Sequence, residues 1–372
     1  MPKITPRIVI LGGGFAGAFC ARQLEKRLRG TSAKITLVNG QNHFVFTPML
    51  LEAATSALEP RHVVIPLRGF LNRADFIMAG VESVDLEQKS VRLQPDFGDA
   101  ISLPYDHLVL ALGSVTRLPS ISGLNAFGFP MKTMSDAMAL RDRAIGMLEM
   151  ANSSPTHEQR RSWLTFAVVG AGYTGVEAAG EFNQFLREAI RQYPRIEESD
   201  IHVMLIQRAD RILEMLDPKM SAKAAAVLAK AGVDIRLNDS ICKMDGTSFT
   251  LESGETISSH TLIWSAGVSP PPLLQSLDLP KTARGYLQCD TDLRVTGSDH
   301  IWGVGDCASN PDPEGHPYPP TAQHGLREGR QAADNIAAVL NKQPTQPLTY
   351  RSKGSMAPLG GQQAIANVFG FH

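Results

Sequence analysis

The chain has 372 residues, 36 basic against 37 acidic side chains, and a hydrophobic content of 43%. That apolar share excludes a disordered chain, and a net charge of −1 gives no basis for nucleic-acid binding. A single core rarely grows past about 250 residues, so roughly two or three domains are expected.

The first apolar run, Arg7 to Leu11 (RIVIL), is cut short by glycines and has no cleavage signal behind it. It predicts a strand and not a secretory leader. G-x-G-x-x-G follows at Gly12, Gly14 and Gly17, then a helix-like stretch and a second strand, Lys34 to Val38, ending at Asn39. Another apolar strand runs from His107 to Gly113. The polar segment Asn152 to Arg161 predicts a loop or helical connector. Thr165 to Val169 then leads into a second G-x-G-x-x-G at Gly170, Gly172 and Gly175. A helical region rich in Arg and Glu (Glu181 to Arg195) precedes the strand His202 to Ile206, which ends at Gln207. Thr261 to Gly267 and His300 to Asp306 are further strands closed by glycine, and the Pro- and Gly-rich stretch from Pro344 predicts an extended or hairpin piece.

Both glycine motifs meet one physical requirement. The first Gly makes the strand-to-helix turn, the second lets backbone approach a pyrophosphate, and the third lets helix pack closely on strand. The helix N-terminus supplies N–H groups to the anion. One such motif is a weak signal; two, each after a strand pattern and before a helix, are much stronger. At the two ribose-reading positions stand Asn39 and Gln207, neither of them the usual acid.

The order predicts an α/β protein with two Rossmann-like dinucleotide-binding domains, one inserted in the other. The outer domain is expected over 1–117 and 265–345, the inner over 118–264, and a C-terminal extension over 346–372. No apolar stretch reaches the ~20 residues that cross a bilayer. Four scattered cysteines, Cys20, Cys242, Cys289 and Cys307, form no C-x-x-C pair, and no His stands at metal spacing. A reducing compartment without a disulfide framework or metal site follows.

The chain resembles the two-dinucleotide-binding flavoproteins, the pyridine nucleotide-disulfide oxidoreductase superfamily, and within it the type II NADH:quinone dehydrogenases. The resemblance runs from about Arg7 to the end. GGGFAG (Gly12, Gly14, Phe15, Ala16 and Gly17) is similar to the opening of the FAD domain. Asn42, His43, Phe46, Pro48 and Leu50 fit a segment that packs near the flavin. V-V-G-x-G-x-T-G-V-E-x-A-G is matched from Val168 and Val169 through Gly170, Gly172, Thr174, Gly175, Val176 and Glu177 to Ala179 and Gly180. The stretch Gly303 to Ala308 resembles the one whose aspartate, here Asp306, binds the ribityl chain. Thr321, Ala322 and Gln323 match the T-A-Q motif near flavin and quinone.

The resemblance implies Val81, Gly113 and Gly267 as further cofactor contacts, with Asn39, Gln207 and Arg208 at the ribose positions. It implies Glu177 and Gln323 as catalytic residues. Family members commonly carry two glutamines after T-A-Q, where this chain has His324-Gly325-Leu326-Arg327-Glu328-Gly329. They also run on into amphipathic membrane-surface helices, whereas this chain stops at Phe369-Gly370-Phe371-His372. Weak liposome binding is therefore expected of the chain as written, with any anchor outside it.

Plain readings stand beside these roles. Asp306 could be a solvated turn residue, Gln323 a helix N-terminal polar group, and His43 and His324 structural histidines or proton donors. Glu177 falls in the first turn of its helix, where the dipole favours a carboxylate. Met147, Met150 and Met215 read as core.

The expected activity is FAD-dependent transfer of hydride from NADH or NADPH to the flavin, then two-electron reduction of a quinone without proton pumping. The expected place is the cytoplasmic face of the membrane, or the cytoplasm if no anchor exists, and a homodimer is compatible with the sequence. One alternative is a soluble NAD(P)H-dependent reductase of a small iron–sulfur carrier. Another is a non-enzymatic flavoprotein whose NAD(P)H binding controls assembly. The missing acid at Gln207, followed by Arg208, predicts NADPH use at least comparable with NADH.

Overall fold

Each apolar run that precedes a glycine motif forms the central strand of its own parallel sheet. The computed structural model describes residues 5–361 and 363–368. In chain order the elements used below are β1 (Arg7–Leu11), α1 (Phe15–Arg27), β2 (Lys34–Asn39), α2 (Leu50–Ala54), β3 (Asp75–Met78), β4 (His107–Leu110) and β5 (Gly128–Pro130). They continue with α3 (Met134–Ser153), β6 (Thr165–Val169), α4 (Tyr173–Ala189), β7 (His202–Gln207), α5 (Pro218–Lys230), β8 (Val233–Leu237) and β9 (Thr261–Trp264). Last come β10 (Ile301–Gly303), α6 (Ala322–Leu340) and the hairpin of β11 (Gly354–Pro358) and β12 (Ala364–Val368).

The chain divides into two compact units. The first reaches to Phe46 and adds Val64–Val115 and Ser269–Ser352; the second holds Thr47–Val63, Thr116–Val268 and the described residues from Lys353 onward. The segment 47–63 and the hairpin thus cluster with the second unit. The sequence places 47–63 in the outer domain and sets 346–372 apart, so the division differs from that expectation at both segments.

The first unit carries a five-stranded sheet in the order β10-β4-β1-β2-β3, parallel throughout. Ile8 and Ile10 pack into one buried cluster with Leu24 and Ile336, while Val9 and Leu11 pack into another with Leu108 and Ile301. A strand stretch covered on both faces is apolar at successive positions, and this is why Ile8 to Leu11 shows no alternation. On one face α1 lies against α6 because Gly329 carries no side chain: a Cβ there would sit 2.0 Å from the Ala16 carbonyl oxygen. Asp334 ties the two helices through Arg27 (2.7 Å) and Gln23 (2.7 Å).

The second unit repeats the arrangement in the order β5-β9-β6-β7-β8, again parallel. Its helices start where side chains can cap them. Thr133 and Asp136 form a capping box before α3, and Asp217 with Pro218 opens α5. Gly180 lets the β-hairpin approach α4, since a Cβ there would lie 2.4 Å from the Leu359 backbone.

Three expectations need correction. The helix placed at Glu181 to Arg195 is α4, which starts at Tyr173 and ends at Ala189, with a short 3-10 turn at Ile190–Gln192. Glu177 is consequently its fifth residue, just past the first turn. Of the methionines read as core, Met147 is buried, but Met150 and Met215 are exposed. Asn152 to Arg161 agrees with the helical connector expected there: it spans the end of α3 and a short helix at His157–Trp163. No described helix is long and apolar enough to cross a membrane. The chain end Phe369 to His372 lies outside the described residues.

Candidate active site

The glycine motifs occupy matching places at the carboxyl edges of the two sheets. Gly12 (φ 103°) and Gly170 (φ 96°) adopt left-handed backbone that only glycine takes without strain. A Cβ on Gly17 would meet the Gly12 carbonyl oxygen at 1.8 Å, and one on Gly175 would meet the Gly170 oxygen at 1.7 Å. Gly14 and Gly172 differ from these: nothing lies within 4 Å of their missing Cβ. They are not needed for internal packing and leave open ground at the N-termini of α1 and α4, whose caps carry no side-chain hydrogen bond. A pyrophosphate approaching the backbone N–H groups fits that ground.

The residues ending the second strands fasten these turns. Asn39 Oδ1 accepts the Gly13 N–H at 2.8 Å, and Gln207 Oε1 accepts the Ala171 N–H at 3.0 Å. The first glycine of each motif also donates to a strand carbonyl, Gly12 to Val38 (2.8 Å) and Gly170 to Ile206 (2.9 Å).

Around the first motif, Phe15 starts α1 and packs its ring against Phe44 and Phe46, and Ala16 is buried. His43 shares a hydrogen bond with Asn42 through Nδ1 at 3.0 Å. Gly113 follows β4 with φ 66° and open space at its Cβ position. The next residue, Ser114, donates its hydroxyl to Asp306 Oδ2 at 3.0 Å. Val81 stands in a separate antiparallel strand that begins two residues past β3, half-buried against the core. The turn bearing Asp306 is held by Glu328 of α6, which accepts the Gly305 N–H at 2.6 Å. Burial pushes the Glu328 carboxyl up to about 7, against the lowering effect of that bond. The sequence places Glu328 only in the stretch that departs from the family's two glutamines and gives no sign of this bond to Gly305.

Gln323 is the second residue of α6, as a helix N-terminal polar group would be, after Ala322 and the cap Thr321. It is also held from outside the helix. Tyr350 donates its hydroxyl to Gln323 Oε1 at 2.7 Å, and Gln323 Nε2 donates to Ser352 at 3.3 Å. The Arg327 guanidinium lies 3.9 Å from the centre of the Tyr350 ring, a cation–π contact. His324 is buried between Tyr318 and Tyr350 and shares a 2.6 Å hydrogen bond with Thr321; burial, and then Arg327, lower its pKa. Tyr318 and Tyr350 carry no signal in the sequence, and the meeting of Tyr350 with Arg327 depends on a long excursion of the chain.

In the second unit, Thr174 is exposed near the start of α4, and Gly267 follows β9 with φ 89° beside the Arg117 side chain. Arg208 bonds Glu252 at 3.0 Å in an exposed pair. Glu177 is half-buried on α4. Burial, followed by the neighbouring carboxylates Glu52 of α2 and Glu181, pushes its pKa up to about 8. At neutral pH it therefore holds a proton and can donate a hydrogen bond. Glu52, which the sequence reading passed over, supplies part of that repulsion.

All four cysteines are free, and Cys20, Cys289 and Cys307 are buried. Burial pushes Cys307 up to about 12 and Cys289 well above its usual range, so neither presents a reactive thiolate. Iodoacetamide on the native protein should modify Cys242 alone and leave turnover within about twofold, as expected of inert buried thiols. Mass spectrometry with a parallel activity assay checks this, and parallel loss of a buried thiol and of activity would count against it.

Two parallel sheets, each ending in a glycine turn built for a pyrophosphate, define a protein of the two-dinucleotide-binding class. The pattern of the pyridine nucleotide-disulphide oxidoreductases matches residues 6–329, and the chain belongs to that family. It is 30% identical over 377 residues to the demethylphylloquinone reductase of Synechocystis, covering 100% of this chain and 88% of that one. It is 28% identical over 376 residues to the type II NADH:quinone oxidoreductase of Staphylococcus aureus, covering 100% and 91%. The fold is similar to that of Plasmodium falciparum NDH2, solved in complex with NADH, with a TM-score of 0.89 and 21% identity over 99% of this chain and 91% of that one.

Proposed function

We propose that this protein is an FAD-dependent NAD(P)H:quinone oxidoreductase that moves two electrons from nicotinamide to quinone and pumps no protons. The observation that carries this reading is the duplicated turn: two glycine cradles, each open at its middle glycine, with no reactive thiol pair. The named functions of the quinone-reducing relatives support the same acceptor class.

The first unit, with Gly12, Gly14, Gly17, Asn39, Gly113 and Asp306, would hold FAD. The second, with Gly170, Gly172, Gly175 and Gln207, would hold the nicotinamide dinucleotide. When bound, the flavin supplies the hydride-accepting chemistry, so the protein needs no nucleophile of its own. The chain's tasks are to orient the two groups and to manage protons. Glu177, protonated at neutral pH, keeps a proton available on α4. Gln323, held by Tyr350 and Ser352, orients its amide near the N-terminus of α6, where Ala322 and Gln323 would face the quinone. A lipid-soluble acceptor favours work at the cytoplasmic membrane surface.

The deciding experiment is a visible spectrum of the purified protein followed by an acceptor screen. A flavin spectrum with NADH-dependent reduction of a short-chain quinone is the expected result. A colourless protein that cannot be reconstituted with FAD would sink the reading. Preference for a small iron–sulfur acceptor would favour the reductase alternative.

Asp306→Ala tests the flavin cradle. Removing a charge-assisted acceptor costs on the order of 1.5–3 kcal/mol, so FAD affinity should fall roughly 10- to 150-fold. Flavin released on gel filtration measures it, and full retention would argue that Asp306 is a turn residue only.

A further inference from the structure

A carboxylate from outside the strand, Glu214, stands beside the strand-end residue Gln207. Gln207 occupies the usual position, but both ends of its amide are engaged. Oε1 accepts the Ala171 N–H at 3.0 Å, and Nε2 donates to Glu214 Oε2 at 3.0 Å. Gln207 is thus committed to the glycine turn and to Glu214 and carries no charge, whereas the other oxygen of Glu214 is an acceptor carrying negative charge.

The loop that brings Glu214 there is fastened to the glycine turn itself. Leu213 donates its N–H to the Ala171 carbonyl at 2.7 Å, so Ala171 is clamped by Gln207 on its N–H and by Leu213 on its oxygen. Leu213 is fully buried and has φ 47°, a left-handed backbone that a non-glycine residue adopts only at a cost in strain. Leu216 donates to the Leu213 carbonyl at 2.8 Å, and Arg211 donates to the Glu214 carbonyl at 3.0 Å. These bonds keep the chain reversed at the point where the carboxylate must return to Gln207.

Arg208, which the sequence reading offered as a partner for a 2′-phosphate, bonds Glu252 in this structure. The ribose position therefore presents a carboxylate paired with an amide, and the nearby guanidinium has an acid of its own.

We propose that Glu214 is the specificity-determining residue of the second unit: it accepts a hydrogen bond from the adenosine ribose and repels a 2′-phosphate, making NAD(H) the preferred dinucleotide. The proposal rests on the reading of the Gly170 motif as the dinucleotide site. It replaces the expectation that the neutral Gln207 opens the site to NADPH.

The test is equilibrium binding of NAD+ and NADP+ to the flavin-loaded protein by calorimetry, for wild type, Glu214→Gln, Glu214→Ala and Glu252→Gln. Charge repulsion at close range readily accounts for about tenfold or more, so wild type should bind NAD+ at least about tenfold more tightly than NADP+. Both Glu214 variants should bring the ratio to within about threefold, chiefly by tightening NADP+, as expected from removing one repulsive charge. Glu252→Gln, which releases Arg208, should narrow the NAD+ preference without reversing it. Because Glu214 is exposed, its replacement should not disturb the melting temperature, which separates specificity from folding. A wild type without preference, or a ratio unmoved in the Glu214 variants while both ligands bind, overturns the proposal alone. Failure of wild type to bind either nucleotide removes the dinucleotide reading and this proposal with it.

Discussion

Gly172→Ala is expected to lower kcat/KM for NADH by roughly 10²-fold, the loss that a displacement of about 1 Å from productive geometry brings. The folded protein itself should be unchanged. Gly172 has φ −73° and nothing within 4 Å of its missing Cβ, so alanine fits without strain or clash. The added methyl would instead occupy the ground over which a pyrophosphate must approach the α4 N-terminus. Gly175→Val should cause a loss at least as large by a different route. Its Cβ would lie 1.7 Å from the Gly170 carbonyl oxygen and 2.6 Å from Ser265 Oγ, so the turn itself must move. Steady-state kinetics, melting temperature and flavin content measured together distinguish the two. In both variants FAD should be retained, because its cradle is the Gly12 motif. Undiminished NADH turnover by Gly172→Ala would remove the nucleotide from this turn.

The second large effect concerns Glu177 and pH. Its carboxyl is raised from 4.5 to about 8 by burial, then by Glu52 and Glu181. Between those values the unfolded chain has released the proton while the folded chain keeps it. The folded state binds more protons, and stability therefore falls as pH rises through this window. Below 4.5 both states are protonated and the penalty vanishes; above about 8 it is fully present. The whole rise would correspond to a ceiling of roughly 5 kcal/mol, and the remaining solvent contact of the side chain reduces this to about 2–3 kcal/mol.

Glu177→Gln removes the ionisation while keeping the volume. Its melting temperature should match wild type near pH 5 and exceed it by about 4–10 °C near pH 9, by the scaling for a unit of this size. Scanning fluorimetry of the two proteins across that range measures the difference. Parallel curves would show that Glu177 titrates as an ordinary surface carboxylate. The same carboxyl is proposed to hold a proton during turnover, so the variant should also flatten the alkaline limb of the pH–rate profile.

Local features of this protein were determined by sequence over short spans. Ile8, Val9, Ile10 and Leu11 are apolar on consecutive positions, as a strand covered on both faces requires, and the glycines that cut the run short favour a strand. Gly12, Gly14 and Gly17, and their counterparts Gly170, Gly172 and Gly175, carry their reason in their spacing, because the turn, the open face and the close helix contact recur within six residues. The doubling of that pattern sets the architecture and points to two nucleotides. The absence of a C-x-x-C motif is likewise a property of the linear chain.

Tertiary structure decided what depends on residues far apart or on backbone hand. Glu177 became a strong candidate proton holder because Glu52, from a helix that clusters with the second unit, adds its charge to burial. Gln323 acquired a second anchor because the chain returns 27 residues later to place the Tyr350 hydroxyl against it. Glu328 fastens the Asp306 turn from a helix 23 residues further on. Hydrogen bonds of this kind follow no periodicity, so no spacing announces them. Gln207 is the sharpest case. Its neutral amide suggested an open ribose position, and only the left-handed turn at Leu213 shows a carboxylate folded back onto it, since a single positive φ reverses a chain that the residue types alone would leave extended.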